Sequence, residues 1–276
     1  MIYKLKSFYN YHIKGQRQYQ KALKALSSDA TPVVVYTMAK VGSLSVYSSI
    51  QKQTSFPTFH VHTLKKEKIQ LEYEICRAKG WWPDSKNTGG LIYTKKVLPK
   101  KPLKIITAVR EPIGRNLSAF FEVFRYYNGV SPTQYHGNQE ELKQTFLKEL
   151  PHDYPLVWLE EELASCIGID VYQHSFDTTK KYQLYQNENI EMLLFRVDLP
   201  DSEKEDCIRR FLDIPSFQLV NQNIGSQKDY AALYQEFKKN IKLPKDYLQK
   251  MLGSKYAKHF YTNEERKSLL EQWEQN

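Results

Sequence analysis

The sequence predicts an α/β fold, a three-layer sandwich with a mostly parallel central sheet, and three observations lead there. Short, strongly apolar runs alternate with segments of helical spacing, the pattern of strands buried on both faces between crossover helices. The first of these runs, Val33-Val34-Val35-Tyr36-Thr37, leads straight into a glycine-containing loop and then a helical pattern. No repeat and no long Pro/Gly/Ser linker divides the 276 residues, a length that suits one sizeable core. A single domain over 1–276 is therefore expected.

Taken in order, residues 1–28 mix Lys, Arg, Tyr and Gln with Ile and Leu and read as an N-terminal helical extension resting on the domain. A membrane surface is the alternative seat for this basic segment. After the first strand, Leu44, Tyr47 and Ile50 recur at helical spacing, and Thr58-Phe59-His60-Val61-His62 reads as a second strand. The lysine-, glycine- and proline-rich stretch from Trp81 to Lys104 reads as irregular connection. Ile105-Ile106-Thr107-Ala108-Val109 is a third strand, and Met192-Leu193-Leu194-Phe195-Arg196 a fourth. Pro112 suits a first helical turn, after which Leu117, Phe120, Phe121 and Phe124 make an apolar stripe. Glu160-Glu161-Glu162 reads as a solvated helix start. Ser202-x-x-Glu205 and Thr262-x-x-Glu265 are capping-box patterns, and residues 228–276 read as mainly helical.

Composition narrows the partners. Forty Lys+Arg against 31 Asp+Glu give a formal charge of +9, which favours anions such as nucleotides and acidic glycans. The excess is spread along the chain without an arginine-rich tract, which argues against nucleic acid. Three scattered cysteines without a C-x-x-C suggest neither a disulfide framework nor a thiolate zinc site, and point to a reducing compartment. With no apolar run of membrane length and no signal-like N-terminus, the expected location is the cytoplasm, with the inner face of the membrane as the alternative.

The chemistry begins at Thr37-Met38-Ala39-Lys40-Val41-Gly42-Ser43. A buried strand, a short turn and a helix gather backbone N–H groups at a helix N-terminus, a P-loop-like arrangement that favours a phosphate. Gly42 permits close approach or an unusual φ, Ser43 and Ser45 add hydroxyls, and Lys40 adds a compact positive charge. The same residues also suit an ordinary strand-to-helix turn with a capping serine and a solvated lysine. No lysine follows Gly42, so the pattern is not G-x-x-x-x-G-K-[ST].

Lys40-Val41-Gly42-Ser43-Leu44-Ser45 resembles the 5′-phosphosulfate loop, K-x-G-[ST]-x-[ST], of PAPS-dependent sulfotransferases. That family's second signature, a strand ending in Arg-[Asp/Glu]-Pro with a serine eight residues after the arginine, is matched by Val109-Arg110-Glu111-Pro112 and Ser118. Phe59-His60-Val61-His62, Trp158 to Leu163, Gly168 to Tyr172 and Lys258-His259-Phe260-Tyr261 extend the resemblance to bacterial capsular polysaccharide synthesis proteins of sulfotransferase-like fold. The resemblance implies PAPS as cofactor, with Lys40 to Ser45 at its 5′ side. Arg110 and Ser118 would take the 3′-phosphate, and Lys228 would lie in a late loop over the nucleotide. It further implies no metal, and a hydroxyl acceptor on a carbohydrate, such as a capsular or extracellular polysaccharide precursor.

An acceptor hydroxyl needs a base. His60 and His62 are two apart, so on a strand they share a face near the first loop, and His62 is placed ahead of His60. Both also suit hydrogen-bonded core positions; Glu67 and Glu72 are the carboxylate alternatives. A His-x-His zinc pair lacks a third ligand. Arg115 would touch cofactor or acceptor, or else pair with a carboxylate, and Trp81-Trp82 would stack on a sugar or cover the core. Two other classes stay open: a non-catalytic module that binds nucleotide or polysaccharide, and a nucleotide phosphotransferase.

Overall fold

The computed structural model describes residues 8–78, 88–220 and 229–275. Lys228, Trp81 and Trp82 lie outside the described residues. The fold is α/β, built on a five-stranded, mostly parallel sheet. Its strands are β1 (Val33–Tyr36), β2 (Thr58–Val61), β3 (Leu103–Val109), β4 (Tyr182–Gln186) and β5 (Ile190–Arg196), in the spatial order β2-β1-β3-β5-β4. β1, β2, β3 and β5 run parallel, and their β-branched and apolar side chains fill the main core.

β4 is the strand that apolar patterning misses. Its sequence Tyr-Gln-Leu-Tyr-Gln buries only Tyr185, because it is the antiparallel edge strand against β5. The hairpin turn is held by the Asn187 side chain, whose Oδ1 accepts from the amides of Asn189 and Ile190 at 3.2 and 3.0 Å.

The helices, in chain order, are α1 (Gly15–Leu26), α2 (Ser43–Gln53), α3 (Lys66–Ala78), α4 (Thr88–Ile92), α5 (Pro112–Glu122), α6 (Phe124–Asn128), α7 (Gln139–Glu149) and α8 (Tyr154–Trp158). They continue with α9 (Asp201–Leu212), α10 (Ala231–Asn240), α11 (Lys245–Leu252), α12 (Lys255–Phe260) and α13 (Asn263–Gln275). α8 runs on without a break as π-helical turns over Leu159–Ile167. α1 buries Ala22 and Leu26 in the sheet core, so the described part of the N-terminal segment rests on the domain. No described helix is long and apolar enough to cross a membrane.

Several expectations change. The stretch after residue 87 is helical rather than irregular, because Gly89, Leu91 and Ile92 are buried. A Cβ at Gly89 would collide with the Thr63 carbonyl, so only glycine lets α4 come this close. Ser202 opens no helix: α9 starts after Pro200, Ser202 sits inside it, and Glu205 instead accepts from the Leu219 amide at 2.7 Å. Glu160-Glu161-Glu162 is no helix start either, since these residues continue α8. The Thr262–Glu265 capping box does form, with reciprocal bonds of 2.9 and 3.2 Å. The aromatic stripe of α5, continued by Phe124 at the start of α6, packs into a second core, where Phe120, Phe121 and Phe124 join Phe146, Phe237 and Trp273.

Strand order sets the position of the site. The chain leaves β1 toward β2 on one side and returns to β3 on the other, so the direction of winding reverses between β1 and β3. In open α/β sheets the carboxyl ends of such strands splay apart and leave a crevice. The loop after β1 and the loop after β3 both open into it.

At the end of β5, Arg196 is buried and binds Glu265 through two bonds of 2.8 and 2.6 Å, and Asp198 through two of 2.9 and 2.6 Å. Burial opposes its charge, yet the bonds to Glu265 and Asp198 win and raise its pKa. Burial raises the two carboxyls, and the arginine overrides it, leaving both below their ordinary values. A carboxyl with a depressed folded pKa stabilises fully above its unfolded pKa, about 4, and loses that contribution as pH falls through the folded value. Glu265→Gln should therefore flatten the loss of stability below about pH 4, measured by urea melts across pH.

Candidate functional site

The loop between β1 and α2 takes two left-handed residues, Lys40 at φ 73° and Gly42 at φ 71°. A Cβ on Gly42 would meet nothing within 4 Å, so glycine is required there by backbone conformation and not by crowding. For Lys40 the same conformation costs about 1–2 kcal/mol. Three bonds hold it. The Lys40 carbonyl accepts from Arg110 Nη1 at 3.2 Å, the Ala39 carbonyl from Arg115 Nε at 3.1 Å, and Lys40 Nζ donates to Glu122 at 2.8 Å. Gly42 caps α2 without a side-chain bond, and the amides of Gly42 and Ser43 have no hydrogen-bond partner among the described residues.

The loop after β3 faces this one. Glu111 caps α5 by accepting from the amides of Ile113 and Gly114 at 2.9 and 2.6 Å. Tyr256, from α12, brackets Arg110: its hydroxyl donates to the Arg110 carbonyl at 2.8 Å and accepts from the Arg110 amide at 3.2 Å. Spacings of three and four place Arg115, Ser118 and Glu122 on one face of α5. Arg115 and Glu122 both reach the first loop, so Ser118 sits on the face that looks at it. Its hydroxyl is half-buried and has no hydrogen bond among the described residues. The expected carboxylate partner of Arg115 does not exist among the described residues. It bonds Ala39 and Asn116 and lies 4.5 Å over the Tyr154 ring.

The histidines divide. His60, on β2, shares a 2.9 Å bond with Ser43 Oγ and stacks on Tyr47 with ring centroids 5.6 Å apart. Burial, then the neighbouring His62, pushes its pKa down to about 3, so it is neutral and committed to the start of α2. His62 lies just beyond β2 and is exposed. Its Nδ1 donates to the Thr37 carbonyl at 2.7 Å, which leaves Nε2 as the unprotonated nitrogen. Although the ring keeps a face to solvent, the protein packed around its base makes desolvation the first cause of a lowered pKa. Arg115 and Lys40 lower it further, while the Thr37 bond works the other way.

Beneath His62 lies a residue that sequence reading places wrongly. Glu162 is fully buried, not solvated. Its carboxylate accepts from the Tyr36 hydroxyl at 2.5 Å, Thr63 Oγ1 at 2.9 Å and the Leu64 amide at 3.0 Å, with Lys68 Nζ at 3.2 Å. Trp158, one turn earlier, donates Nε1 to the His62 carbonyl at 3.1 Å. Val41 is buried, Leu44 is exposed, Ser45 is half-buried, and Lys228 lies outside the described residues. Glu67 is exposed on α3, and nothing is described of the Glu72 side chain.

Beside Arg110, at the carboxyl ends of β3 and β5, lies a cavity of about 370 Å³ lined by Glu111, Arg196, Asp198 and Tyr261. It lies on the β5 side of Arg110, and no residue of the 37–42 loop lines it. Among the described residues no group of three His, Cys, Asp or Glu could hold a metal ion.

Residues 138–262 match the model of a family described as "Putative capsular polysaccharide synthesis protein", which covers somewhat under half of the chain. Comparison with curated proteins and with solved structures finds no match. The matched stretch holds neither the 37–42 loop, the histidines, Arg110 nor Ser118. It holds their supports: Trp158 and Glu162 under His62, Tyr256 on Arg110, and Tyr230, which donates to Glu122 at 2.8 Å.

Glu162→Leu removes the acceptor for four buried or half-buried donors. It should cost about 3–5 kcal/mol of folding stability in denaturant titrations, the range for breaking a buried charged network. Exposed Glu160→Leu should change stability by less than about 0.5 kcal/mol.

Proposed function

We propose that this protein transfers a sulfuryl group from PAPS to a hydroxyl of a carbohydrate, a precursor of capsular or extracellular polysaccharide. One observation carries the reading. The two segments that resemble sulfotransferase signatures, far apart in sequence, meet at the adjacent carboxyl ends of β1 and β3, where Arg110 bonds the Lys40 carbonyl. A role in glycan synthesis is also supported by the family match over residues 138–262. In this reading the sheet is the middle of a three-layer sandwich, and β1, the 37–42 loop and α2 form a P-loop-like phosphate-binding unit within one cytoplasmic domain.

The residues fit the group. The Gly42 and Ser43 amides and the N-terminus of α2 offer donors to a phosphate. Arg110, in no salt bridge among the described residues, and the Ser118 hydroxyl offer a guanidinium and an O–H to a second phosphate. When bound, PAPS would supply a sulfuryl group that passes to the acceptor oxygen with loss of its bond to the 5′-phosphate. Lys40 would leave Glu122 to neutralise charge on the phosphate, an interaction that strengthens toward the transition state. His62 Nε2 takes the acceptor proton, with its tautomer set by the Thr37 carbonyl. His60 serves as a support for α2 through Ser43 and not as a base.

Adenosine 3′,5′-bisphosphate, at a hundredfold excess over its Kd, should raise the melting temperature by about 5 °C or more without magnesium. ATP should do little, and Arg110→Ala should abolish the shift. Equal stabilisation by ATP would overturn the nucleotide assignment. His62→Gln should keep the shift and slow labelled sulfate transfer about 10²–10⁴-fold. Full binding without any transfer in the wild type would leave a binding module instead.

The lowered pKa of His62 also fixes the pH dependence. Its neutral form is the base, so transfer should rise with pH through a value below the ordinary histidine pKa of about 6.5 and stay flat above it. A rate–pH profile with its inflection above about 7 would assign the base elsewhere.

A further inference from the structure

Arg115 is only 5% exposed, and its charge meets no carboxylate among the described residues. Its Nε–H donates to the Ala39 carbonyl at 3.1 Å, and Nη1 donates to Asn116 Oδ1 at 3.1 Å. Asn116 is held in turn by the His152 carbonyl at 2.9 Å. Desolvation is the main reason that the guanidinium's pKa falls to about 10. Burying a lone guanidinium costs stability, and the fold gains nothing from it that a neutral side chain of similar volume could not supply. A charge kept under those terms has its counter-ion elsewhere.

The loop's main chain says where. The Ala39 carbonyl is bound to Arg115 and the next carbonyl, Lys40, is bound to Arg110. A trans peptide is planar, with its C=O and the following N–H pointing in opposite directions. Fixing these two oxygens on the arginines turns the amides of Lys40 and Val41 to the other side. Neither oxygen can then turn its negative end toward an anion at the N-terminus of α2. The left-handed residues Lys40 and Gly42 lie on either side of Val41, a backbone alternation of the kind that forms anion-binding concavities.

We propose that Arg115 is a positioning residue that fixes the Ala39 carbonyl and, with its uncompensated charge, makes a doubly charged phosphate group the preferred occupant of the 37–42 loop. This rests on the loop as an anion cradle, but not on the nucleotide being PAPS. Arg115 does not act on the reacting atoms.

The test uses the full chain, calorimetric titration with inorganic pyrophosphate and separately with adenosine 3′,5′-bisphosphate, and ligand-free melting temperatures. Arg115→Met should melt at or above the wild-type temperature, because a lone buried charge is gone, yet bind both probes at least tenfold more weakly. Arg115→Lys, which keeps charge with a different geometry, should fall between. Arg115→Gln, a neutral donor to the carbonyl, should also fold and lose affinity. Unchanged pyrophosphate affinity in Arg115→Met overturns the proposal. So does a loss of affinity that only tracks a lower melting temperature, or the failure of all three variants to fold, since either makes the residue structural. A wild type that binds pyrophosphate but not the bisphosphate removes PAPS and leaves the Arg115 role standing. A wild type that binds neither removes both.

Discussion

One buried carboxylate, Glu162, joins the parts of the molecule on which the site depends. Its partners come from β1 through Tyr36, from the segment after β2 through Thr63 and Leu64, and from α3 through Lys68. Burial and the carboxylate itself raise the Tyr36 pKa, which keeps that hydroxyl a donor. The ends of two neighbouring strands are thereby fixed to the helix that carries Glu162. His62 belongs to the same unit, since its carbonyl is held by Trp158 and its ring by Thr37. In the proposed reading His62 meets a substrate proton and needs such support, because sub-ångström displacement of a base erodes its contribution.

The second constraint is electrostatic. Lys40, Arg110 and Arg115 converge on one short loop, while Glu111 spends both oxygens on the start of α5. Among the described residues Glu122 pairs with Lys40 and Glu111 acts electrostatically on Arg110, while Arg115 meets no carboxylate. The other buried arginine among them, Arg196, shows what a structural guanidinium looks like in this fold, with two carboxylates and a carbonyl around it. In the proposed reading, the contrast between Arg196 and Arg115 separates a staple from a binding element better than burial alone does.

Sequence pattern reveals the parts of the fold where chemistry and local geometry agree. Continuous apolar runs, β-branched in β1 and β3 and rich in Leu and Phe in β5, have few alternatives to a buried parallel strand, so these three are legible. The edge strand β4 is not, because a half-solvated Tyr/Gln alternation carries almost no burial signal. The Ser202 capping pattern fails since Pro200 already suits the start of α9 and frees Glu205 for Leu219. At the site, Lys40, Gly42, Arg110 and the two histidines are visible by residue type and spacing. Glu162 and Tyr256 are not, because their partners lie 98 and 146 residues away and only tertiary folding joins them. Glu122 does leave a trace: four residues beyond Ser118, it falls on the same helical face.

Lysine and arginine also divide the work at the loop. The Lys40–Glu122 pair has a carboxylate that is 42% exposed, and ion pairs of that kind contribute about 0–1 kcal/mol. Moving Lys40 from Glu122 onto an incoming anion is therefore cheap, and its flexible stem with a single ammonium suits a charge that must follow a changing target. Arg110 and Arg115 are different. Each is tied by a directional bond to a backbone carbonyl, and Arg115 is walled in by Tyr154 and Asn116. Planar guanidinium groups lose little entropy when held this way. In the proposed reading, the arginines shape the cradle before a ligand arrives, and the lysine completes it afterwards. On the same reading Glu122 would need another partner once Lys40 left, and the Tyr230 hydroxyl already stands at 2.8 Å to keep the carboxylate from being stranded.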